Sequence, residues 1–218
     1  MIASKAPVCL AVDCSTYLTD ALVHSLANSA VDGEPVRGVG RYVGISHANP
    51  GDIDGPELDR ITGAGLGCWL VQHVRATQGK GWTPSGQLGR LDGAMAAKLA
   101  DAAGYSHGCH LACDLEDVAP GTDPQHVIDH VNAWADACSA MYLPMLYVGF
   151  STLLSPQELF QELTLHAYWS DFGPRAVAQR GFRIKQFREN VNVGGVMCDL
   201  DRVAPDAFGD SLVWAMAS

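Results

Sequence analysis

Basic residues are scarce in this chain. Lys and Arg number 14 against 24 Asp and Glu, a formal charge of −10, and so few cations argue against nucleic acid, whose phosphates need a basic surface. No apolar run approaches the roughly 18 residues of a membrane span. The opening MIASKAPVCLAVDCS has one lysine and a five-residue apolar run, shorter than the apolar region of a signal peptide. Synthesis in the cytoplasm is therefore expected, with release or another system carrying the protein to its place of action. Cysteines number seven, an odd count without the spacing of a disulfide framework, so they read as reduced core residues. No glycine-rich phosphate loop follows the first predicted strand, which weighs against an open dinucleotide-binding sheet.

The remainder is an ordinary globular composition, 48% hydrophobic and 17% charged over 218 residues, enough for one large core and one domain spanning 1–218. Short apolar runs alternate with helix-like stretches. VCLAV, GVGRYVG, GCWLVQHV, CHLACDLE and PMLYVGF read as strands. Each is followed by a helical pattern, near residues 19–30, 57–62, 85–103, 123–141 and 156–163. LHAYWSDF, FRIKQF and GGVMCDLD are three further strands with at most one short helix among them. This alternation predicts a parallel sheet covered by helices. The fold class is α/β: a modified TIM-type β/α barrel of about eight strands, with helices truncated or missing after the last three. The doubly wound sheet is the competing topology.

The acids are placed unusually. HLACDLEDV is an apolar run ending in Asp114, Glu116 and Asp117, and an acid on a buried strand is costly unless paired or employed. Alternation along a strand puts His110, Ala112, Asp114 and Glu116 on one face and Leu111, Cys113 and Leu115 on the other. Asp114 and Glu116 then fall at the carboxyl end of the fourth strand, where barrel enzymes keep their active sites. Asp13 ends the first strand, Asp199 and then Asp201 come with the eighth, Gln186 lies on the seventh, Tyr147 on the fifth, and Tyr168 and Trp169 on the sixth. Four acids, Asp13, Asp114, Glu116 and Asp199, would converge on one mouth. Crowded carboxyls in a partly dry site keep one of them protonated near neutrality. Glycoside cleavage needs such an acid plus a second negative group, and aromatic faces for sugar rings. Asp117 reads as structural, while Asp201 is open between the two roles.

Other constellations are weaker. His107, Cys109, His110 and Cys113 match no tetrahedral metal spacing, and Cys14 has nothing to fix it to a base. The stretch from Asn49 to Asp59 lacks the closing Glu of a calcium loop. No metal or cofactor is expected. His73, Arg75 and Trp82 could border a substrate, while Arg183 and Lys185 read as solvent-facing or paired.

VDCS near the start, CDLEDV in the middle and KQF followed by GGVMCDLDRV near the end resemble the family 25 glycoside hydrolases, lysozyme-type muramidases. Tyr42–Gly44, Cys113–Asp117 and Tyr147–Gly149 resemble still more closely a related bacterial group, the glycoside-hydrolase-like domains. The resemblance runs in order along nearly the whole chain. It implies a barrel with curtailed final helices that cuts the β-1,4 link after N-acetylmuramic acid. It implies Glu116 as the general acid, Asp114 as its partner and Asp13 and Asp199 as flanking acids. Tyr147, Gln186, Tyr42, Trp169 and Gln72 would bind substrate. Peptidoglycan or a related amino-sugar glycan is then the partner of a monomer acting as a lysin or effector. The alternative is a barrel that binds glycan with little or no turnover.

Overall fold

A computed structural model describes residues 1–75 and 81–218; the stretch at 76–80, within the glycine-rich loop before Trp82, lies outside the described residues. The elements in chain order are β1 (Ile2–Lys5), β2 (Cys9–Asp13), α1 (Asp20–Ala27), β3 (Ala30–Val31), β4 (Glu34–Val43), α2 (Gly55–Gly63), β5 (Gly67–Gln72), α3 (Gly86–Ala102), β6 (His110–Leu115), α4 (Pro124–Cys138), β7 (Leu143–Val148), α5 (Pro156–Gln161), β8 (Tyr168–Ser170), β9 (Ile184–Val193), β10 (Val196–Val203) and β11 (Val213–Met216).

Eight of these close into a barrel in the order β2, β4, β5, β6, β7, β8, β9, β10, with β10 returning to β2. Neighbours from β2 round to β9 are parallel, which closes the α/β barrel read from the sequence. The eighth position departs from expectation. β10 is antiparallel to both β9 and β2, because Gly194 and Gly195, at φ +60° and +89°, turn the chain straight back in a two-residue hairpin. The mouth therefore meets the amino end of β10, not its carboxyl end, and Asp201 lies deeper than Asp199. The short strands β1, β3 and β11 are additions to the ring.

Two apolar layers follow from strand alternation. Leu10, Val12, Leu70, Leu111, Cys113 and Leu146 face outward onto the helices. Ala11, Trp69, Val71, Ala112, Met145, Trp169 and Trp214 fill the barrel, and Trp69 meets Trp169 edge to face at 5.7 Å. The helices start where their sequences provide caps: Asp54 accepts from the Glu57 amide at 2.8 Å, Ser85 caps α3, Asp123 caps α4 and a Ser155–Glu158 capping box opens α5. α3 lies directly on α4 because Gly89 and Gly93 face it; a Cβ there would stand 2.0 Å from the His130 carbonyl oxygen and 2.3 Å from that of Trp134. α5 is only six residues long. Among the described residues no helix follows it, including near Pro174–Gln179.

A buried ion pair joins the first two loops of the mouth. Arg41 and Glu57, both fully buried, are 2.9 Å apart. The Arg41 guanidinium also donates to the carbonyls of Cys14 and Gly51, and Glu57 accepts from the Leu18 amide at 2.7 Å. One pair thus fixes the turn after β2, the loop after β4 and the start of α2.

Candidate active site

β2, β4, β6 and β7 carry their polar side chains to the same end of the barrel, and the strand register sets who meets whom. Asp13 lies opposite Asp199, Asp114 lies beside Tyr147, and Asp201 pairs with Gln186 across β9. The Tyr42 hydroxyl donates to Asp13 Oδ1 at 3.3 Å. Tyr147 donates to Gln186 Oε1 at 2.9 Å, and the Gln186 amide in turn donates to Asp199 Oδ2, whose other oxygen accepts from the Asn190 amide at 2.8 Å. Asp13, Tyr42, Asn190, Met197 and Asp199 line a cleft of about 230 Å³. A second cavity of about 460 Å³ shares Ser15 with it and continues over His47, Asp52 and His73. It lies beside the acids rather than over them. Glu116 borders neither cavity, but its charge reaches this group: it and Asp114 both push the Tyr42 and Tyr147 hydroxyls upward, after burial itself.

Four of these acids, Asp13, Asp114, Glu116 and Asp201, are pushed upward chiefly by loss of water, and then by neighbouring carboxylates. Burial pushes Glu116 up to about 7, with the charges of Asp117, Asp171, Glu189 and Asp13 adding to it. Asp114, buried beside it, is raised well above the usual carboxylate range by burial and then by Glu116 and Asp13. Burial likewise lifts Asp13 to about 7 against its neighbour Asp201, which pulls the other way. Asp201 is raised well above its usual range by burial and by Asp13. Asp13 Oδ2 and Asp201 Oδ2 are both buried without a hydrogen-bond partner, which favours the protonated form of these neighbouring carboxyls. Asp201 also accepts from the Trp169 indole at 2.9 Å.

The backbone around Glu116 is built for close approach. Gly149 passes so near that a Cβ there would stand 2.5 Å from the Glu116 Cβ and 2.8 Å from its Oε2. The Trp82 indole donates to the Glu116 carbonyl at 2.8 Å. Asp117 takes a left-handed turn at φ +52°, its amide bonded to the Phe150 carbonyl.

Each residue singled out from the sequence now has a place. Asp13, Asp114, Glu116, Asp199, Tyr42, Tyr147 and Gln186 gather at the mouth. Gln72 does not. It faces the helices, donates to the carbonyls of Gly44 and Asp92 and accepts from the Trp134 indole at 2.7 Å, because alternation along β5 sends Trp69 and Val71 inward and Gln72 outward. Trp169 points inward but is 1% exposed and packs beneath Tyr147 at 4.6 Å; it is a floor, not a stacking face. Tyr168 is buried among the helices. Among the described residues the exposed phenylalanines are Phe150, Phe172 and Phe208; the first two each lie just past the mouth end of their strand. His73 binds Asp52 at 2.8 Å and stacks on Tyr42 at 4.6 Å. Arg75 pairs with Asp92. Trp82 is buried against Glu116 rather than offered to solvent. Arg183 is buried, pairing with Asp206 and with His110 at the opposite end of the barrel.

Sequence reasoning missed three contributors: the buried position of Asp201 beneath Asp13, the buried Arg41–Glu57 pair, and Asp171, which is held by Arg175 at 2.9 Å and adds its charge to Glu116. For Asp201 the signal was present, since NVGGV marks a tight hairpin and hence the reversed direction of β10.

Comparison with known proteins places this arrangement. Curated proteins give no match. Among solved structures, the Tat-secreted protein Rv2525c of Mycobacterium tuberculosis superposes with a TM-score of 0.68 at 14% identity, covering 96% of this chain and 100% of that one. The bacterial lysozyme from Streptomyces coelicolor gives 0.58 at 14% identity, covering 93% and 95%. The modular autolysin LytC of Streptococcus pneumoniae, in complex with a synthetic peptidoglycan ligand, gives 0.58 at 14% identity over 95% of this chain and 47% of that one. At such identities the likeness establishes the fold. A family model matches residues 29–204, most of the barrel, and by that match the chain belongs to the Rv2525c-like, glycoside hydrolase-like domain family.

Proposed function

We propose that this chain is a peptidoglycan hydrolase of lysozyme type, an N-acetylmuramidase cutting β-1,4 glycosidic bonds, with Glu116 as the general acid. The observation that carries the reading is a half-buried carboxyl, raised to about 7 and one residue past the end of β6, beside the buried carboxyl of Asp114 on that strand. Glu116 holds a proton at neutral pH and lends it to the bridging oxygen as the bond to the leaving sugar breaks. Asp114 Oδ1 has no hydrogen-bond partner in the protein, which suits it to accept the N–H of the substrate's acetamido group while the acetamido oxygen attacks the anomeric carbon. Asp13 and Asp199 flank the developing cation, and Asp199, held by Gln186 and the Asn190 amide, adds negative charge beside it. Tyr42, Tyr147 and Gln186 hold these acids in place and offer hydroxyl and amide groups to the sugar. Every group comes from one chain, so a monomer suffices.

The test is turbidity loss of purified cell walls with mass analysis of the released fragments. Fragments ending in reducing muramic acid are expected. Glu116→Gln should keep wall binding and lose roughly 10²- to 10⁴-fold in turnover, the usual contribution of a general acid. Undiminished turnover in that variant would remove Glu116 from its role. A wild-type protein that binds walls and releases nothing would identify a glycan-binding barrel instead.

A further inference from the structure

The register of β2 against β10 has a second consequence. Asp13 lies opposite Asp199, and the next step along the antiparallel pair sets Cys14 opposite Cys198. Opposed residues on antiparallel strands are about 4.5–5.5 Å apart at Cα and point to the same face, within the roughly 4.4–6.8 Å that a disulfide spans. Both thiols are free and buried, and both border the cleft that holds Asp13 and Asp199. The geometry points to Cys14 and Cys198, both in the outer apolar layer, as an oxidisable pair that forms a disulfide joining the mouth ends of β2 and β10 when the cleft admits a peroxide.

The chemistry around the two sulfurs favours Cys14 as the attacker. The neighbouring Cys198 thiol pulls the Cys14 thiol below its usual range, and the Arg41 charge helps, both acting against burial. Cys198 is pushed upward by Cys14 and by burial. The thiols elsewhere are raised by burial, Cys9 to about 11 and Cys109 and Cys138 to about 12, so they stay protonated and unreactive.

In the first step the Cys14 thiolate attacks one oxygen of hydrogen peroxide. The O–O bond breaks, hydroxide leaves and takes up a proton to become water, and Cys14 carries a sulfenic acid. The Cys198 sulfur then attacks the Cys14 sulfur. The S–S bond forms, the S–O bond breaks, and the departing hydroxide leaves as water with the Cys198 proton. Two thiols and one peroxide give one disulfide and two waters; each sulfur gives up one electron and the peroxide is reduced. The bond ties the strand ends that carry Asp13 and Asp199 and closes a loop spanning most of the chain, which should raise Tm by several degrees.

The test treats the folded protein with hydrogen peroxide in the presence of dimedone, then blocks free thiols and cleaves before aspartate. Cys14 then lies in the fragment Asp13–Thr19 and Cys198 in Asp171–Cys198, neither containing another cysteine. A joined species two hydrogens lighter than the sum of these fragments is expected. In Cys198→Ser the join should vanish and dimedone should label Cys14. Wild-type fragments that stay separate, whether unmodified or labelled, or Cys14 joined to any other cysteine, would overturn the pairing. The wild-type result decides this even if the variant fails to fold.

Discussion

Replacing Asp13 by Asn should change how stability depends on pH more than it changes stability itself. Burial raises the Asp13 carboxyl from 3.8 to about 7, so between those values the folded protein keeps a proton that the unfolded chain releases. The folded state binds more protons there, and stability must fall as pH rises through the window. Each pH unit is worth about 1.4 kcal/mol, so the full span amounts to roughly 4 kcal/mol. That loss is nearly complete by pH 8 and absent at pH 3. Asparagine carries no proton to lose, and its amide can donate to Asp201. Urea unfolding of both proteins from pH 4 to 8 should show the wild type losing stability with pH far more steeply. The Asn variant should be slightly weaker at pH 4 and the more stable protein at pH 8. Parallel curves would mean that folded Asp13 holds no proton that the unfolded chain releases.

Other outcomes follow from the same geometry. Hydrolysis should fall about tenfold per pH unit above 7 as Glu116, raised to about 7, loses the proton it must donate; a pH–rate profile still rising at pH 9 would contradict this. Gly149→Ala should cut turnover at least tenfold while the protein stays folded by circular dichroism, since the new Cβ would stand 2.5 Å from that of Glu116. Arg41→Met should destabilise the protein by about 3–5 kcal/mol in chemical denaturation, because it strands a buried Glu57, and adding Glu57→Gln should recover part of the loss. Phe150→Ala and Phe172→Ala, at exposed rim positions, should raise KM for wall fragments severalfold and leave kcat nearly unchanged.

Local pattern made much of this legible. The run HLACDL alternates so regularly that its inward and outward faces were assigned correctly residue by residue, and the helix starts announce themselves through Asp54, Ser85, Asp123 and Ser155. Alternation tells which face a side chain takes only when the phase is known. For Gln72, expected at the substrate through the resemblance, the phase could not be read, because GCWLVQ is almost wholly apolar and buried on both faces, as parallel strands are. The same ambiguity hid Trp169, whose strand is only three residues long. Strand direction is likewise invisible in an apolar run, so β10 was read as running with its neighbours, which moved Asp201 from the interior to the rim. The Arg41–Glu57 pair was out of reach for another reason: an arginine inside a strand reads as solvent-facing until its partner, sixteen residues on, is seen beside it.

The ribbon formed by β9 and β10 does not fold inward over the cleft. At its tip Gly194 crowds against α1, where a Cβ would lie 2.7 Å from Ser25 Oγ, so the hairpin is seated on the outer wall. The same ribbon supplies Asn190 and Met197 to the cleft beside Asp199. Anchoring the tip on α1 therefore also fixes that wall of the cleft, so a longer ribbon would have to be tethered elsewhere or leave the wall unsupported.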